Sequence, residues 1–480
     1  MANIGYMGRG SPHDRITELP EVLKLHILSL LSRKDAVRTG MLSTQWKDLW
    51  KRRFPYQTVL EFGTIYVSED IQAQFVRQVN DFLVHYGNRR IETFHLYFNP
   101  GDHFERNVIS WIELAVLCGV EEFYLNFSQG LTSCHPDGRL EYRRRRPELK
   151  EKIFKDNCLT VLNLHYCRLN RRFRFEHFPF LEILELHGVN INESMLERAV
   201  LCCPFLSKLD LSECMTLMAI KISGGPQLRL KYLRVVRCWN VDLIEISAPK
   251  LEVFHLFSRF PRMYLLYDIS SLADVVLYST VEQYWFHPNN WFETLSTFNH
   301  VRVLTLCNKA IQHMFGPGMF ATVALPSVRV LDLSMQQLDD HDVMNIYRFF
   351  RQCYLPRLDK LLMQLPNSQT DPVLQQFNFD ASREDSPDIP YMGLRVITIS
   401  SFEGRMHHIM LLQFLLSRAI ALRQVSIVLP HDLLLYSNPH RIINAVAELL
   451  RRSRAAGTAT NLLLYPSQGR LAYFPLSVNY

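Results

Sequence analysis

Between Leu19 and Leu31 the apolar residues Leu19, Leu23, Ile27, Leu30 and Leu31 recur at steps of three and four, with Pro20 in the first turn, which predicts one amphipathic helix. Ser32-Arg33-Lys34-Asp35 reads as a capping box opening a second short helix through Ala36 and Val37, ended by Gly40. Ser43 is placed to cap a third helix carrying Trp46, Leu49 and Trp50 and bounded by Pro55; there the two indoles, four positions apart, share one face. So small a helical segment, from about Arg15 to Phe62, buries too little surface to stand comfortably alone. Part of its apolar surface is expected to meet a partner.

From about Ile91 to Val428 the period changes. A phrase L-x-x-L-x-L, with other apolar residues allowed, appears at CLTVLNLHYC (Leu159, Leu162, Leu164), FLEILELHGV (Leu181, Leu184, Leu186), FLSKLDLSEC (Leu206, Leu209, Leu211) and RLKYLRVVRC (Leu230, Leu233, Val235). Fainter copies start at Leu251, Leu272, Val301, Val328, Leu358, Leu394 and Leu422, and two precede the array at Ile91 and Val120. Successive starts from Leu159 to Leu272 lie 22, 25, 24, 21 and 21 residues apart, within the span of about 20 to 29 residues typical of leucine-rich repeats. Each unit is expected to supply one short parallel strand and a helical or irregular return, stacked into a solenoid.

Cysteine placement supports that reading. Cys167, Cys214 and Cys238 fall three positions after the last core residue of their units, where the repeat carries Asn or Cys to satisfy backbone groups as the chain leaves the strand. Two stretches interrupt the array: Ser128 to Asn157, containing RRRRP, and about Asn367 to Asp388, rich in Asp, Ser and Pro. From Tyr391 onward two more strand phrases flank the helical segment HHIMLLQFLLSRAIAL, followed by a helix at Ile442 to Arg452 and a last apolar strand, NLLLY. This segment can cap the solenoid.

Composition is that of an ordinary globular chain, with 480 residues, 48% hydrophobic and 21% charged. A net charge of +6 is too diffuse to make nucleic acid the default partner. No apolar run reaches the roughly 20 residues that span a bilayer, and MANIGYMGRGSPHDR lacks the apolar stretch of a signal peptide, so an intracellular protein without a membrane partner is expected. None of the ten cysteines has the C-x-x-C spacing of a zinc site. In a reducing compartment most of them are expected as free thiols.

Alternation along a strand turns the residues between the core leucines off the inner sheet surface. One such position gives Asn163, Glu185, Asp210, Arg234 and His255; its neighbour gives His165, His187, Ser212, Val236, Phe257 and Tyr278. Polar at one end and apolar at the other, with charges of both signs, this face suits a protein surface better than a phosphate backbone. The competing reading is a sheet face that is merely solvated. Arg143 to Arg146, with Arg168, Arg171, Arg172 and Arg174, is either an anion-binding or localisation patch or a solvated loop.

Leu19-Pro20, the run Ile27 to Leu31, and Leu42, Ser43, Trp46, Leu49 and Trp50 together resemble the F-box, whose pattern opens with Leu-Pro and closes with Leu-Ser-x-x-Trp-x-x-Leu-Trp. Thr44-Gln45 departs from it, standing where basic residues usually precede the first tryptophan. LRVITISSFEG, FLLSRAIALRQVSI and the closing strand are similar to the FBD domain at the C-terminus of plant F-box/leucine-rich-repeat proteins. The resemblance implies an α/β protein with three parts: a small three-helix F-box at 15–62, a leucine-rich-repeat solenoid at 91–390 and an FBD-like cap at 391–480. It implies a substrate receptor of a Skp-, cullin- and F-box-containing ubiquitin ligase, with no catalytic residue or cofactor of its own. Leu19, Pro20, Ile27, Leu31, Leu42, Trp46 and Trp50 would then dock a Skp-type adaptor and, through it, cullin. Glu185, His187, Asp210, Arg234, His255, Phe257 and Tyr278 would face the protein to be ubiquitinated. Two rivals stand beside it: an F-box scaffold acting outside a ligase, and a thiol enzyme built on Cys158 with His165, or on Cys202 and Cys203 near His187, for which the spacing indicates no third orienting group.

Overall fold

The computed structural model describes residues 16–466 apart from 17, 32, 55, 65–67, 102, 130–131, 134–139, 142–145, 156–157, 280–290, 316–321, 367–390 and 431–460, of which last stretch 446 and 449 are included. Two compact units divide the chain, residues 1–181 and 182–480. The expected cap at Ser32, much of the RRRRP run, the Asp/Ser/Pro-rich stretch and nearly all of the helix at Ile442 to Arg452 lie outside the described residues.

The first unit begins with helices α1 (Glu21–Ser29) and α2 (Arg33–Thr39). Pro20 stands immediately before α1 with φ −54°, the angle its ring imposes and a helix start accepts. The third helix expected from Ser43 does not form. Asp48 takes a left-handed conformation, φ +62°, which breaks the run of α hydrogen bonds, and only a 3₁₀ turn at Leu49–Arg52 follows. Trp46 and Trp50 therefore do not share a helical face. Leu28, Ala36, Trp46 and Leu49 form a small core, with Leu25, Leu31 and Trp50 half-buried against it.

Among the described residues of this unit, one sheet holds four parallel strands, Val59–Gly63, Thr93–Tyr97, Glu122–Asn126 and Val161–His165, joined in register from Val59↔Thr93 to Asn126↔His165. Helices α3 (Glu69–Tyr86) and α4 (Glu105–Leu117) make two of the return crossovers. A buried ion pair, Arg53 with Glu92, ties the residue just past the 3₁₀ turn to the first repeat, and Thr58 Oγ1 donates to the same carboxylate at 2.8 Å. The Tyr86 hydroxyl donates to the carbonyls of Gln57 and Arg90 at 2.7 and 2.9 Å; its burial pushes the phenol up to about 12.

Among the described residues of the second unit, eleven parallel strands follow one another in one sheet, from Ile183–His187 through Lys208–Ser212, Tyr232–Val236, Val253–Phe257, Asp274–Tyr278, Val303–Cys307, Val330–Ser334, Lys360–Gln364, Val396–Ser400 and Gln424–Leu429 to Asn461–Pro466. Every unit start read from the sequence, from Ile91 to Leu422, is followed two residues later by a strand. The physical reason is the phrase itself: its first apolar residue fills the turn into the strand, and the next two occupy the strand's second and fourth positions, which face the interior. Leu184, Leu209, Leu233, Phe254 and Val275 lie in register and are all buried. A repeat with no closed core of its own needs such continuous stacking.

Returns in this unit vary with the sequence between the strands. Helices α5 (Glu193–Cys202), α6 (Trp291–Ser296), α7 (Asn308–Phe315), α8 (Asp340–Gln352) and α9 (Met406–Arg418) make some of them. Between α5 and α6 three short strands, Ala219–Ser223, Leu243–Ser247 and Met263–Tyr267, build a second parallel sheet instead.

The exit from the strand repeats too. Tyr166, Gly188, Glu213 and Arg237, each two positions past the last core residue, have φ of +55°, +62°, +52° and +50°. A left-handed residue turns the chain out of the strand while its N–H stays in the ladder: Glu213 donates to Val236 and Arg237 to Phe257, both at 2.8 Å. The thiols that follow point inward. Cys214 lies 3.5 Å from the carbonyls of Leu186 and Ser212, and Cys238 3.5 Å from those of Leu211 and Val236. Burial pushes the Cys167 thiol up to about 12, and the hydrogen bond with Cys238, reinforced by burial, raises Cys214. These cysteines serve the turn. No helix among the described residues is long and apolar enough to cross a membrane.

Candidate functional site

Among the described residues of the helical segment, more large apolar side chains are exposed than buried. On α1 the buried positions are Lys24 and Leu28, one turn apart, so the stripe that the sequence pattern assigns to an interior face points outward: Leu23, Ile27 and Leu30 are exposed, as is Val22. Ile16, Val37, Met41 and Leu42 are exposed as well, with Met41 at 88% and Leu42 at 61%. Lys24 explains the choice of face. Its stem lies inside while its ammonium donates to Gln45 Oε1 at 2.8 Å and sits 5.9 Å from the centre of the Trp46 ring. A basic residue at 45 would meet that buried ammonium, which is a structural reason for Gln at this position.

Of the residues expected to dock an adaptor, Pro20, Ile27 and Leu42 are exposed, Leu19, Leu31 and Trp50 are half-buried, and Trp46 is 1% exposed inside the core. Trp46 can act only by shaping the surface around it. Val22 and Met41 were not singled out by the periodicity, and Leu30, which was, was not assigned to docking; their signal is an excess of apolar positions over what four buried residues need to cover.

On the strand face of the second unit, register places Glu185, Asp210, Arg234 and His255 in one row and His187, Ser212, Val236, Phe257 and Tyr278 in the next. A third row, one position pair earlier, adds Lys208, Tyr232 and Asp274. Charges on these rows engage one another. Lys208 reaches Glu185 at 2.7 Å, Arg234 reaches Asp210 at 3.0 Å with Ser212 Oγ donating to the same carboxylate, and His255 stands 3.4 Å from Asp274. At the strand exits Glu213 lies between Arg237, 3.2 Å away, and His187, 3.6 Å away. Arg234 also covers the Phe257 ring at 5.6 Å, and Phe257 meets Tyr278 at 5.9 Å, so one guanidinium joins the polar end of the face to its aromatic end. Sequence reasoning missed Lys208, Tyr232 and Glu213, because pairing across strands depends on register and not on spacing within one unit.

The thiols sketched as nucleophiles are placed apart in character: Cys158 is exposed, Cys202 ends α5 and Cys203 is buried, while His187 is engaged with Glu213. Among the described residues there is no group of three or more His, Cys, Asp or Glu side chains that could hold a metal ion.

Comparison with known proteins agrees with this geometry. Residues 85–441 match the family profile described as At1g61320/AtMIF1, LRR domain, and residues 16–58 match the F-box domain. The chain is similar to the F-box/FBD/LRR-repeat protein At1g13570 of Arabidopsis thaliana, 23% identical over 473 residues that cover 95% of this chain and 99% of the relative. It is similar to the putative F-box/LRR-repeat protein At5g02930 of the same plant, 24% identical over 76% of each chain, and to its putative FBD-associated F-box protein At5g53635, 29% identical over 54% of this chain and 58% of the relative. F-box domains generally bind Skp-type adaptors, and such relatives suggest a substrate-adaptor role of a generally non-catalytic kind. With an F-box of exposed apolar helices ahead of a parallel repeat sheet, this chain belongs to the plant F-box/leucine-rich-repeat family, with repeats of the At1g61320/AtMIF1 type and FBD-like features at its C-terminal end.

Proposed function

We propose that this protein is the substrate-recognition subunit of a Skp-cullin-F-box ubiquitin ligase, its F-box docking a Skp-type adaptor and its strand face binding the protein to be ubiquitinated. The observation that carries the reading is the outward apolar stripe of α1 together with Met41 and Leu42: a segment this small exposes these side chains at a cost unless a partner covers them. Apolar anchors ringed by polar residues dominate protein interfaces. The rows from Glu185 to Tyr278 offer mixed charge and aromatic surface of the kind protein partners meet. Ligase chemistry belongs to other subunits in this reading.

Leu19→Ala with Pro20→Ala, and separately Leu30→Ser with Met41→Ser, should each abolish co-purification with a Skp-type adaptor and cullin while the repeats stay folded. Undiminished binding in both variants would overturn the proposal, and adaptor without cullin would favour a scaffold outside a ligase. Point variants are preferable to removing residues 15–62, because that truncation strips Arg53 from buried Glu92 and the first strand from its sheet. Proximity labelling under proteasome inhibition, comparing intact protein with the Leu30/Met41 variant, should then identify proteins retained by both and stabilised only in the variant.

A further inference from the structure

The central row that holds Glu185, Asp210 and Arg234 continues along the second unit's sheet through Thr305, Asp332 and Leu362. Its carboxylates divide into two kinds. Glu185 has Lys208 and Asp210 has Arg234, and the flanking Asp274 has His255. The Asp332 carboxylate has no hydrogen bond or ion pair among the described residues, and the residue is half-buried at the middle of its strand, Val330–Ser334, between Thr305 and Leu362 in register. A carboxylate so placed has lost part of its water without gaining a counter-ion, which costs stability and gives the fold nothing in return. Burial pushes its carboxyl up to about 6. Leu362 beside it in the row and Val330 two positions earlier on its own strand are half-exposed and apolar.

We infer that Asp332 is the anchor for a lysine or arginine side chain of the protein recognised by this face, the methylene stem lying on Val330 and Leu362 and the cationic head on the carboxylate. A long basic side chain matches both halves of the site, since it carries an apolar stem and a charged tip. A charge pair formed in a partly dry site is stronger than one in water. Glu185 and Asp210 cannot play this part without first releasing their own cations. The inference rests on the proposal that the strand face takes the substrate, and adds its charge requirement.

The test is selection of randomised twelve-residue peptides displayed against the immobilised full chain. Peptides selected by the parent should carry Lys or Arg at one fixed position, lose at least tenfold in affinity for Asp332→Asn, and lose less than twofold for Glu245→Gln, on the second sheet. Asp332→Lys should select Asp or Glu at that position instead. Selection of no peptide, absence of a fixed cationic position, affinity within twofold for Asp332→Asn, or full competition by millimolar free arginine would overturn the inference. Asp332→Asn should also melt at or above the parent's temperature at pH 7.5; a fall of several degrees would show a structural partner and overturn it. Adaptor co-purification is read separately, so failure of the ligase reading and failure of this one are distinguishable.

Discussion

The F-box helices and the repeat strands are both rich in leucine, yet they dispose of it in opposite ways. In the strands, period two sends every second apolar residue inward, and the next strand covers it; Leu209, Leu211, Leu233 and Val235 are fully buried. In α1 the apolar residues outnumber the inward positions that a short helix can supply, and Lys24 takes one of those positions, so Leu23, Ile27 and Leu30 are left outside. A stacked array finishes its core with copies of itself, whereas a lone helical segment has no such copy to cover its leucines. The same leucine is structural in one region and available for docking in the other.

Four measurements break or sharpen that contrast. The largest effect is expected from Trp46→Ala: emptying the centre of a four-residue core should cost about 3–5 kcal/mol, enough to melt the F-box segment while the circular dichroism of the strands persists. Loss of the whole sheet would instead mean that the two regions fold as one cooperative block.

Next is acidification around α9. His408 on α9 is buried and accepts from the Glu403 N–H at 3.0 Å, and burial, opposed by Glu403 and aided by Arg405 and His407, pulls its imidazole down to about 4. The folded state therefore binds fewer protons than the unfolded state below pH 6.5, so stability falls as pH falls, by about 2 kcal/mol between pH 7 and pH 5. Asp332 and Asp342, both held up near 6 by burial, work in the other direction and gain stability as pH falls. Hydrogen exchange of the α9 amides separates the two: faster exchange at pH 5 after correction for the intrinsic rate is expected in the parent, and His408→Gln should abolish the pH dependence.

A smaller effect is expected on the paired face. A double-mutant cycle of Asp210→Asn and Arg234→Gln should give a coupling of about 1 kcal/mol in urea unfolding. Neutral isosteres are the right tools, because lysine at 185 or 210 would also face Lys208 or Arg234 and confound binding with folding. Smallest of all, Leu30→Ser with Met41→Ser should change stability by less than about 0.5 kcal/mol in thermal melts, since both side chains are exposed in the free protein. A larger loss would show that these leucine-rich positions belong to a core after all.

Much of this was legible before any coordinates. The unit starts from Ile91 to Leu422 each mark a strand, and Cys167, Cys214 and Cys238 sit in the turn where the spacing put them. The third F-box helix was not legible, because local pattern scores Trp46 and Trp50 as a helical pair and cannot see that Asp48 turns left-handed. Nor was the strand Val59–Gly63 visible, since it lacks the leucine phrase and is held by its neighbour.

What sequence alone determined here is periodicity: a period near four at the start, a period of two recurring every twenty-odd residues afterward, and the side of each strand that goes inside. Those are properties of consecutive residues, enforced by backbone geometry. Only tertiary structure decided which side of α1 is covered, which carboxylates on the strand face have cations and that Asp332 has none among the described residues. These depend on register between strands about twenty residues or more apart and on which neighbour reaches a helix first, and no single segment contains that information.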